Sequence, residues 1–251
     1  MNKNKKIYFG SDFHLGVPTL KDSIKREKLV VDWLERIQND ADSIFLLGDI
    51  FDFWFEYKKV VPKGFVRLLG KFAELTDKDI PIHIIKGNHD MWMYDYLPKE
   101  TGVIIHDRNF ILQKNRKNIF LAHGDGLGPG DLKYKLFKTM FTSKLCQWIF
   151  ARLHPNFGIS LAQFCSKKSR STNNKKMSEF LGEKNEWLVT YCKRKQEENP
   201  MDFYIFGHRH LPLEVDIDKN CKYINLGDWM IYQSYAVFDG ENIELKYFKS
   251  N

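Results

Sequence analysis

Five short apolar runs in the sequence each end at a cluster of glycine and polar residues. The runs and their clusters are Ile7–Phe9 with Gly10-Ser11-Asp12, Ile44–Leu47 with Gly48-Asp49, Ile82–Ile85 with Gly87-Asn88-His89, Ile119–Leu121 with His123-Gly124-Asp125, and Phe203–Phe206 with Gly207-His208. Continuous apolar runs of this kind are typical of strands buried on both faces. The repeated pattern predicts buried strands that all carry polar side chains at their carboxyl ends.

The segments between these runs have helical periodicity. Ile24, Val31, Leu34 and Ile37 fall near one helical face, and Phe65, Leu68, Leu69, Phe72 and Leu75 fall near another. Strands that alternate with helices predict an α/β layer architecture, and open α/β sheets bind ligands beyond the carboxyl ends of their strands. After His208 the pattern changes to strands and tight turns at 222–226, 234–238 and 243–248, the last two forming a hairpin.

Residues 132–178 interrupt this rhythm and predict a helical cap inserted into a single domain of residues 1–251. The segment has no acidic residue but many lysines, arginines and aromatic residues. Ordinary surface helices mix both signs of charge. A basic, aromatic-rich amphipathic segment therefore favours an anionic membrane surface, or a substrate with a charged head and acyl tails. The alternative is a helical hairpin that packs its apolar side on the sheet.

Charge and cysteine content narrow the class of protein further. The net charge of +7 and the pI near 9.0 favour anionic partners. None of the four cysteines lies in a CxxC pair, which argues against a zinc ribbon or a thioredoxin-like site. No apolar run is long enough for a signal peptide or a membrane span. We therefore expect a cytoplasmic protein.

Seven residues at or near the strand ends are good ligands for divalent metals. They are Asp12, His14, Asp49, Asn88, His123, His208 and His210. Two pairs have one intervening residue, Asp12 with His14 and His208 with His210. Each pair is expected to place both ligands on one side of an extended segment. Carboxylate, carboxamide and imidazole together suit manganese, iron or zinc better than calcium. Each fragment alone fits a turn or a core histidine, but five in this order favour a metal site.

The ordered motifs resemble the signature of calcineurin-like metallophosphoesterases. They are Asp12-Phe13-His14, Gly48-Asp49-Ile50-Phe51-Asp52, Gly87-Asn88-His89-Asp90, His123-Gly124-Asp125 and Gly207-His208-Arg209-His210. The resemblance implies a four-layer αββα sandwich with two divalent ions, with manganese expected and iron or zinc as alternatives. It implies one ion held by Asp12, His14, Asp49 and His210, and another held by Asp49, Asn88, His123 and His208. Asp49 would bridge the ions, which would activate a shared water.

The resemblance also suggests roles for residues beside the ligands. His89 is expected to donate to the transition-state oxygens or to protonate the leaving group. Asp52 and Asp90 are expected to orient imidazoles from behind, or to serve as ordinary turn residues.

Within this class the sequence is most similar to bacterial UDP-2,3-diacylglucosamine pyrophosphohydrolases of lipid A synthesis. Three features carry the similarity: the aromatic residues after Asp49 in the segment 48–54, Asp131 eight residues after His123 and before an aromatic-rich cap, and the spacing of Ser169, Asn173 and Lys176. It implies cleavage of the substrate's pyrophosphate to UMP and 2,3-diacylglucosamine 1-phosphate, at the inner face of the cell membrane. The implied substrate contacts are Asn88, Asp131, Ser169, Asn173, Lys176 and His208. His89 stands where the best-known branch of this group has an arginine.

Two other functions share the same motifs. A cyclic-nucleotide phosphodiesterase or nuclease would use the same metal site, but a small-nucleotide enzyme needs no long apolar cap. A nuclease would need a DNA-binding groove or a further domain. A non-catalytic scaffold on the same fold would tend to lose metal ligands, and all seven are present here. We therefore expect a nucleotide-linked glycolipid substrate and a membrane surface as partners, with no nucleic acid and no obligate protein partner.

Overall fold

The computed structural model describes residues 5–128, 132–177, 179–180, 182–183 and 185–249. The strands are β1 Lys6–Gly10, β2 Ala41–Leu46, β3 Ile82–Ile85, β4 Ile104–His106, β5 Phe110–Lys114, β6 Lys117–Ala122, β7 Phe203–Phe206, β8 Pro212–Asp216, β9 Lys222–Leu226, β10 Ser234–Phe238 and β11 Ile243–Tyr247. The helices are α1 Leu20–Ile37, α2 Val66–Asp77, α3 Tyr96–Thr101, α4 Leu132–Thr142, α5 Lys144–Phe150, α6 Pro155–Met177 and α7 Trp187–Glu198.

The strands form two mixed sheets. One sheet has the order β11-β10-β1-β2-β3-β4, and the other has the order β5-β6-β7-β9-β8. In the first sheet β1 to β4 run parallel, as do β6, β7 and β9 in the second. The hairpin predicted near the end of the sequence is the antiparallel pair β10 and β11. The carboxyl ends of the parallel strands therefore collect several loops at one edge of each sheet.

Three apolar clusters define the layers of the fold. The first packs α1 and α2 against the outer face of the six-stranded sheet, with Trp33 and Phe72 buried in it. The second lies between the two sheets and includes Phe9 and Ile205. The third packs α7 against the outer face of the five-stranded sheet, around Cys192 and other residues. Helix, sheet, sheet and helix follow one another, so the predicted four-layer αββα sandwich is confirmed.

Residues 132–177 form the three helices α4, α5 and α6. They pack near the loop that follows β2, where the Ser166 hydroxyl of α6 contacts the Asp52 carboxylate. An aromatic cluster anchors them: the Phe150 ring centroid lies 4.8 Å from both Phe55 and Trp92. The indole N–H of Trp92 also donates to the carbonyl of Phe141 at 2.8 Å. In the described part of the chain, no helix is both long and apolar enough to cross a bilayer.

The loops at the strand ends approach each other so closely that two glycines are required there. A Cβ atom at Gly87 would overlap the carboxylate of Asp49, and one at Gly207 would overlap the carboxylate of Asp12. Any larger residue would push a carboxylate out of place, because carboxylate and backbone are in direct contact. The glycines of these motifs are therefore explained by the space that the neighbouring acidic side chains occupy.

Two histidines on the neighbouring strands β3 and β4 stack on each other, with ring centroids 5.2 Å apart. His83 on β3 and His106 on β4 share a hydrogen bond of 3.0 Å between Nδ1 and Nε2. The ring of Phe45 stacks on His83 with centroids 4.4 Å apart. Burial lowers the pKa of His83 to about 4 and also lowers the pKa of His106. Both rings are therefore neutral in the folded protein near neutral pH.

We predict that His83 makes folding sensitive to mild acid. A base whose folded pKa lies below its unfolded value of 6.5 contributes stability that is present above pH 6.5 and is lost as pH falls toward 4. His83→Leu should therefore lose less thermal stability than the wild type between about pH 7 and about pH 5, measured by thermal unfolding with a chelator present. His154→Leu, at an exposed position in the cap, should follow the wild type. Equal pH dependence in His83→Leu and the wild type would contradict the prediction.

Candidate metal centre

The structure brings all seven predicted ligands together at the carboxyl ends of the strands. Asp12 and His14 follow β1, Asp49 follows β2, Asn88 follows β3, His123 follows β6, and His208 and His210 follow β7. These loops come from both sheets, so the cluster lies where the two sheets meet. Most of these side chains are buried, with His210, Asn88 and His208 partly exposed.

The first group of ligand atoms surrounds one small space. The Nε2 atoms of His14 and His210 face each other at 3.1 Å. Asp12 Oδ1 lies 3.2 Å from His210 Nε2, and Asp49 Oδ2 lies 3.6 Å from His14 Nε2. Ligand atoms of these four residues all lie within 4.8 Å of one another. Two imidazole nitrogens and two carboxylates that converge in this way suit a divalent cation.

The second group is centred on His123. Its Nε2 lies 3.3 Å from Asp49 Oδ2, 3.2 Å from Asn88 Oδ1 and 3.2 Å from His208 Nδ1. The Nδ1–H of His123 donates to the carbonyl of Leu47 at 2.7 Å, since a carbonyl oxygen can only accept. In the neutral ring this leaves the Nε2 lone pair for a metal. Asp49 belongs to both groups, as the sequence predicted for a bridging carboxylate.

The backbone at the ligands differs from the expected extended segments. Asp12, His14, Asp49, His208 and His210 have φ angles of 55°, 43°, 53°, 64° and 56°. These left-handed conformations are uncommon for residues other than glycine and cost of order 1–3 kcal/mol each. The left-handed turns bring the side chains of alternate residues closer together than an extended chain would, since an extended chain separates such residues by about 6.6 Å. The turn instead brings Asp12 Oδ1 within 3.7 Å of His14 Nε2.

The electrostatics of the cluster favour bound positive charge. Burial opposes the ionisation of Asp12 and Asp49, yet the neighbouring imidazoles hold their pKa values well below the usual range. Burial likewise opposes protonation of His123, but Asp49 raises its pKa to about 10, and Asp12 does the same for His210. Protons on these rings balance the buried carboxylates in the metal-free protein. Divalent ions would take over that role and displace the protons.

Two acidic residues support the ligand loops from behind. The Asp90 carboxylate accepts from the backbone N–H groups of Gly87 and Ile50 at 2.9 and 2.7 Å, so its contacts brace two loops. Asp228, which the sequence reasoning did not identify, is buried 3.5 Å from His210 Nδ1 through Oδ2. It follows β9 directly after Gly227, the same glycine–aspartate pattern that marks Asp49. A glycine–aspartate pair directly after a strand is therefore a sequence pattern from which Asp228 could have been predicted.

The loop between His208 and His210 is held by a buried ion pair. Arg209 is fully buried and donates through Nε and Nη2 to the two carboxylate oxygens of Glu186, at 3.1 and 3.0 Å. Nη2 also donates to the carbonyl of Glu179 at 2.5 Å. This charge-assisted, two-pronged pair fixes the loop to the start of α7. Arg209 thus explains the unusual His-Arg-His motif as a structural anchor between two candidate ligands.

His89 lies beside the first group without joining it. Its ring centroid is 4.9 Å from that of His14, and its backbone N–H donates to Asp49 Oδ1 at 2.9 Å. Its Nδ1 lies 3.0 Å from the carbonyl oxygen of Asp52, whose carboxylate is 3.6 Å from His14 Nδ1. Burial lowers the pKa of His89 to about 4, so the ring is neutral near neutral pH.

The residues expected to bind substrate fall into two sets. Asn88 and His208 lie in the second ligand group, each in contact with His123 Nε2. Asp131 lies outside the described residues. For Ser169, Asn173 and Lys176 the structure describes the helical backbone of α6 and not the side chains.

Comparison with known proteins agrees with this geometry. The family model for calcineurin-like phosphoesterases matches residues 5–212. UDP-2,3-diacylglucosamine hydrolase of Porphyromonas gingivalis is 40% identical and aligns over 96% of this chain and 97% of its own length. The Aliivibrio fischeri protein of the same name is 28% identical over 89% and 90%. A solved archaeal phosphodiesterase is 13% identical, with a TM-score of 0.46 over 97% and 99%.

The comparisons confirm the family resemblance that the motifs predicted. The matched region contains the five motifs in their predicted order. It also carries the clustered aspartates and histidines that fit divalent metal ions. The chain therefore belongs to the calcineurin-like phosphoesterase family and is a metal-dependent hydrolase.

Proposed function

We propose that this hydrolase cleaves the pyrophosphate of UDP-2,3-diacylglucosamine to give UMP and 2,3-diacylglucosamine 1-phosphate. The observation that carries the proposal is the cap, an acid-free helical segment with apolar and cationic side chains that lies over a phosphoesterase centre. This surface suits a substrate with a charged diphosphate and two acyl chains. The name and full-length alignment of the Porphyromonas gingivalis relative support the same substrate.

The proposed centre holds two divalent ions, with Asp49 as a ligand of both. Asp12, His14 and His210 would complete one site, and Asn88, His123 and His208 would complete the other. Manganese fits this mixture of carboxylate, carboxamide and imidazole, as do iron and zinc. Bound ions would neutralise the phosphate oxygens and activate the attacking water.

The protein's own residues would orient the substrate against this centre. His89 lies beside the first group with Nδ1 tied to the carbonyl of Asp52. Its Nε2 carries the lone pair of the neutral ring and would take up a proton before donating it to a phosphate oxygen or the leaving group. Lys138 of α4 pairs with the buried Asp125 at 2.6 Å, which puts a cation at the cap side of the second group. Asp131, Ser169, Asn173 and Lys176 remain proposed contacts for the sugar and phosphates.

The outer surface of the cap suits an anionic membrane. More than half of each of several large apolar side chains is exposed there: Leu136, Leu145, Trp148, Ile149, Phe157 and Phe164. Exposed cations lie among them, including Arg152, which stacks over the Trp148 ring at 4.6 Å. Apolar side chains ringed by cations are typical of segments that insert into the headgroup region of a bilayer. We therefore propose a cytoplasmic enzyme bound to the inner face of the cell membrane.

Variants at Asp49 and His89 should separate the loss of bound metal from the loss of catalysis. Asp49→Ala should lose bound metal and reduce turnover on the order of a thousandfold or more, because the shared ligand is removed. His89→Ala should retain the metal and reduce turnover by roughly 100- to 10,000-fold, the range for acid–base and oxyanion donors. Elemental analysis and steady-state kinetics measure both effects. Asp32→Ala, at an exposed site on α1, is the control.

Two outcomes would overturn these assignments. Near-normal turnover of Asp49→Ala at saturating metal would rule out a bridging role. Loss of metal from His89→Ala would make His89 a ligand. His89→Arg tests further whether an arginine performs the same task at this position.

The second prediction concerns the acyl chains. If the cap buries them, each methylene contributes roughly 0.8 kcal/mol, so shortening the chains should lower kcat/KM steeply. The assay compares UDP-2,3-diacylglucosamine with shorter-chain analogues and with UDP-N-acetylglucosamine. Bis-p-nitrophenyl phosphate serves as a control for the intact metal centre. Equal turnover of the acylated and non-acylated sugars would reject the lipid substrate and leave the hydrolase assignment intact.

The third prediction concerns the membrane surface. The protein should bind vesicles that contain anionic lipid, bind neutral vesicles less, and detach as salt screens the cap's charge. Trp148→Glu should weaken binding in a sedimentation assay. Leu20→Glu, at a comparably exposed apolar residue on α1, should leave it unchanged. Equal loss in both variants, or binding to neutral vesicles alone, would contradict the assignment of this surface to the cap.

A further inference from the structure

A serine of the cap reaches into the metal loops. Ser166 lies on α6 and is 8% exposed, whereas its neighbours Cys165 and Lys167 are exposed. Its Oγ lies 3.1 and 3.0 Å from the two carboxylate oxygens of Asp52, and 3.2 Å from His89 Nδ1. One hydroxyl of the cap therefore contacts both residues that lie beside His14.

The chemistry of the partners fixes the hydrogens in this cluster. The carbonyl oxygen of Asp52 can only accept, so the contact of 3.0 Å requires the hydrogen to be on His89 Nδ1. The Asp52 carboxylate accepts the hydrogen of the Ser166 hydroxyl. The lone pairs of Ser166 Oγ are then directed to the same Nδ1–H of His89. The two acceptors together hold His89 by one ring nitrogen.

We propose that Ser166 is a positioning residue that fixes the ring orientation of His89, whose tautomer the Asp52 carbonyl sets. With hydrogen on Nδ1, the neutral ring offers a lone pair at Nε2. Since Ser166 belongs to α6, this arrangement exists only when the cap helix rests on the metal loops. The cap thereby couples its own position to the orientation of His89. The inference rests on the proposed function only in assigning His89 to the catalytic site.

A second serine on the same helix shows how unusual this contact is. The hydroxyl of Ser160 donates to the carbonyl of Asn156, four residues earlier, at 2.7 Å. That is the ordinary contact of a serine within a helix. Ser166 instead bonds to residues 114 and 77 positions away in the sequence. Ser160 is exposed, so Ser160→Ala is a matched control for Ser166→Ala on the same helix.

The kinetic test compares the two alanine variants. Ser166→Ala should lower kcat by roughly 10- to 100-fold, the usual effect of removing a partner that orients a site residue. KM and metal content should stay close to wild type, because neither substrate nor ions contact the hydroxyl in this scheme. Ser166→Thr, which retains a hydroxyl, should recover most of the rate. Ser160→Ala should behave as wild type. Unchanged kcat in Ser166→Ala would overturn the proposal.

A second measurement is independent of catalysis. Long-range ¹H–¹⁵N correlation spectra of ¹⁵N-histidine-labelled, zinc-loaded protein distinguish the two neutral imidazole tautomers. The wild type, Ser160→Ala and Ser166→Ala should all show His89 with hydrogen on Nδ1, because the Asp52 carbonyl is unchanged. Exchange of that hydrogen with water, read from the Nδ1–H line width, should be faster in Ser166→Ala. An unchanged exchange rate of the His89 Nδ1–H in Ser166→Ala would overturn the proposal even if kcat fell, since the hydroxyl would then act through packing.

The two proposals fail in different experiments. The kinetic comparison uses bis-p-nitrophenyl phosphate beside the lipid substrate. A wild type that cleaves only the diester would reject the lipid substrate and still report the effect of Ser166. A normal lipid-specific activity with no response to Ser166→Ala would reject the positioning role and leave the proposed function standing.

Discussion

The Asp49 carboxylate is the contact on which the candidate centre depends. Its Oδ1 accepts from the backbone of His89 at 2.9 Å, while Oδ2 lies 3.6 Å from His14 and 3.3 Å from His123. These partners come from loops of both sheets. Asp49 is buried, and its negative charge is tolerated only because positively charged or hydrogen-bonding groups surround it. One acidic residue thus belongs to both groups of candidate ligands and joins the two halves of the sandwich.

Much of the surrounding structure serves to hold this charge in place. The left-handed backbone at five candidate ligands is unfavourable by itself, so other contacts must stabilise it. Gly87 and Gly207 allow close approach of the carboxylates, Asp90 braces two loops, and the Arg209–Glu186 pair fixes a third. A pre-organised cluster of this kind loses little free energy to rearrangement when cations bind. The strained left-handed backbone therefore occurs at the same residues that form the candidate metal site.

The cap adds a second level of organisation. Its inner side is tied to the body by the aromatic cluster around Phe150 and by polar contacts from Lys138 and Ser166 to acidic residues of the loops. Its outer side exposes apolar and cationic groups. The same segment thus contacts the loops of the candidate centre on one side and exposes apolar and cationic groups on the other. This division is consistent with hydrolysis of a charged head group whose tails remain in an apolar setting.

The sequence by itself determined the fold class and the identity of the clustered residues. Buried strands end in polar residues, and parallel strands bring their carboxyl ends to one edge, so the strand pattern predicted that polar side chains would collect there. The resemblance of the motifs predicted which of them share a centre, and Asp12, Asp49 and His123 lie in the two ligand groups. Asp228 also follows a buried strand directly after a glycine, so the same pattern applies to it. The left-handed turns at the ligands were not predictable from the spacing, because the backbone there is imposed by contacts with other loops. Ser166 and the Arg209–Glu186 pair gave no local signal, since their partners are distant in the chain. Residue type and spacing decided which groups form the site, and only tertiary packing decided their backbone, their hydrogen-bond partners and their link to the cap.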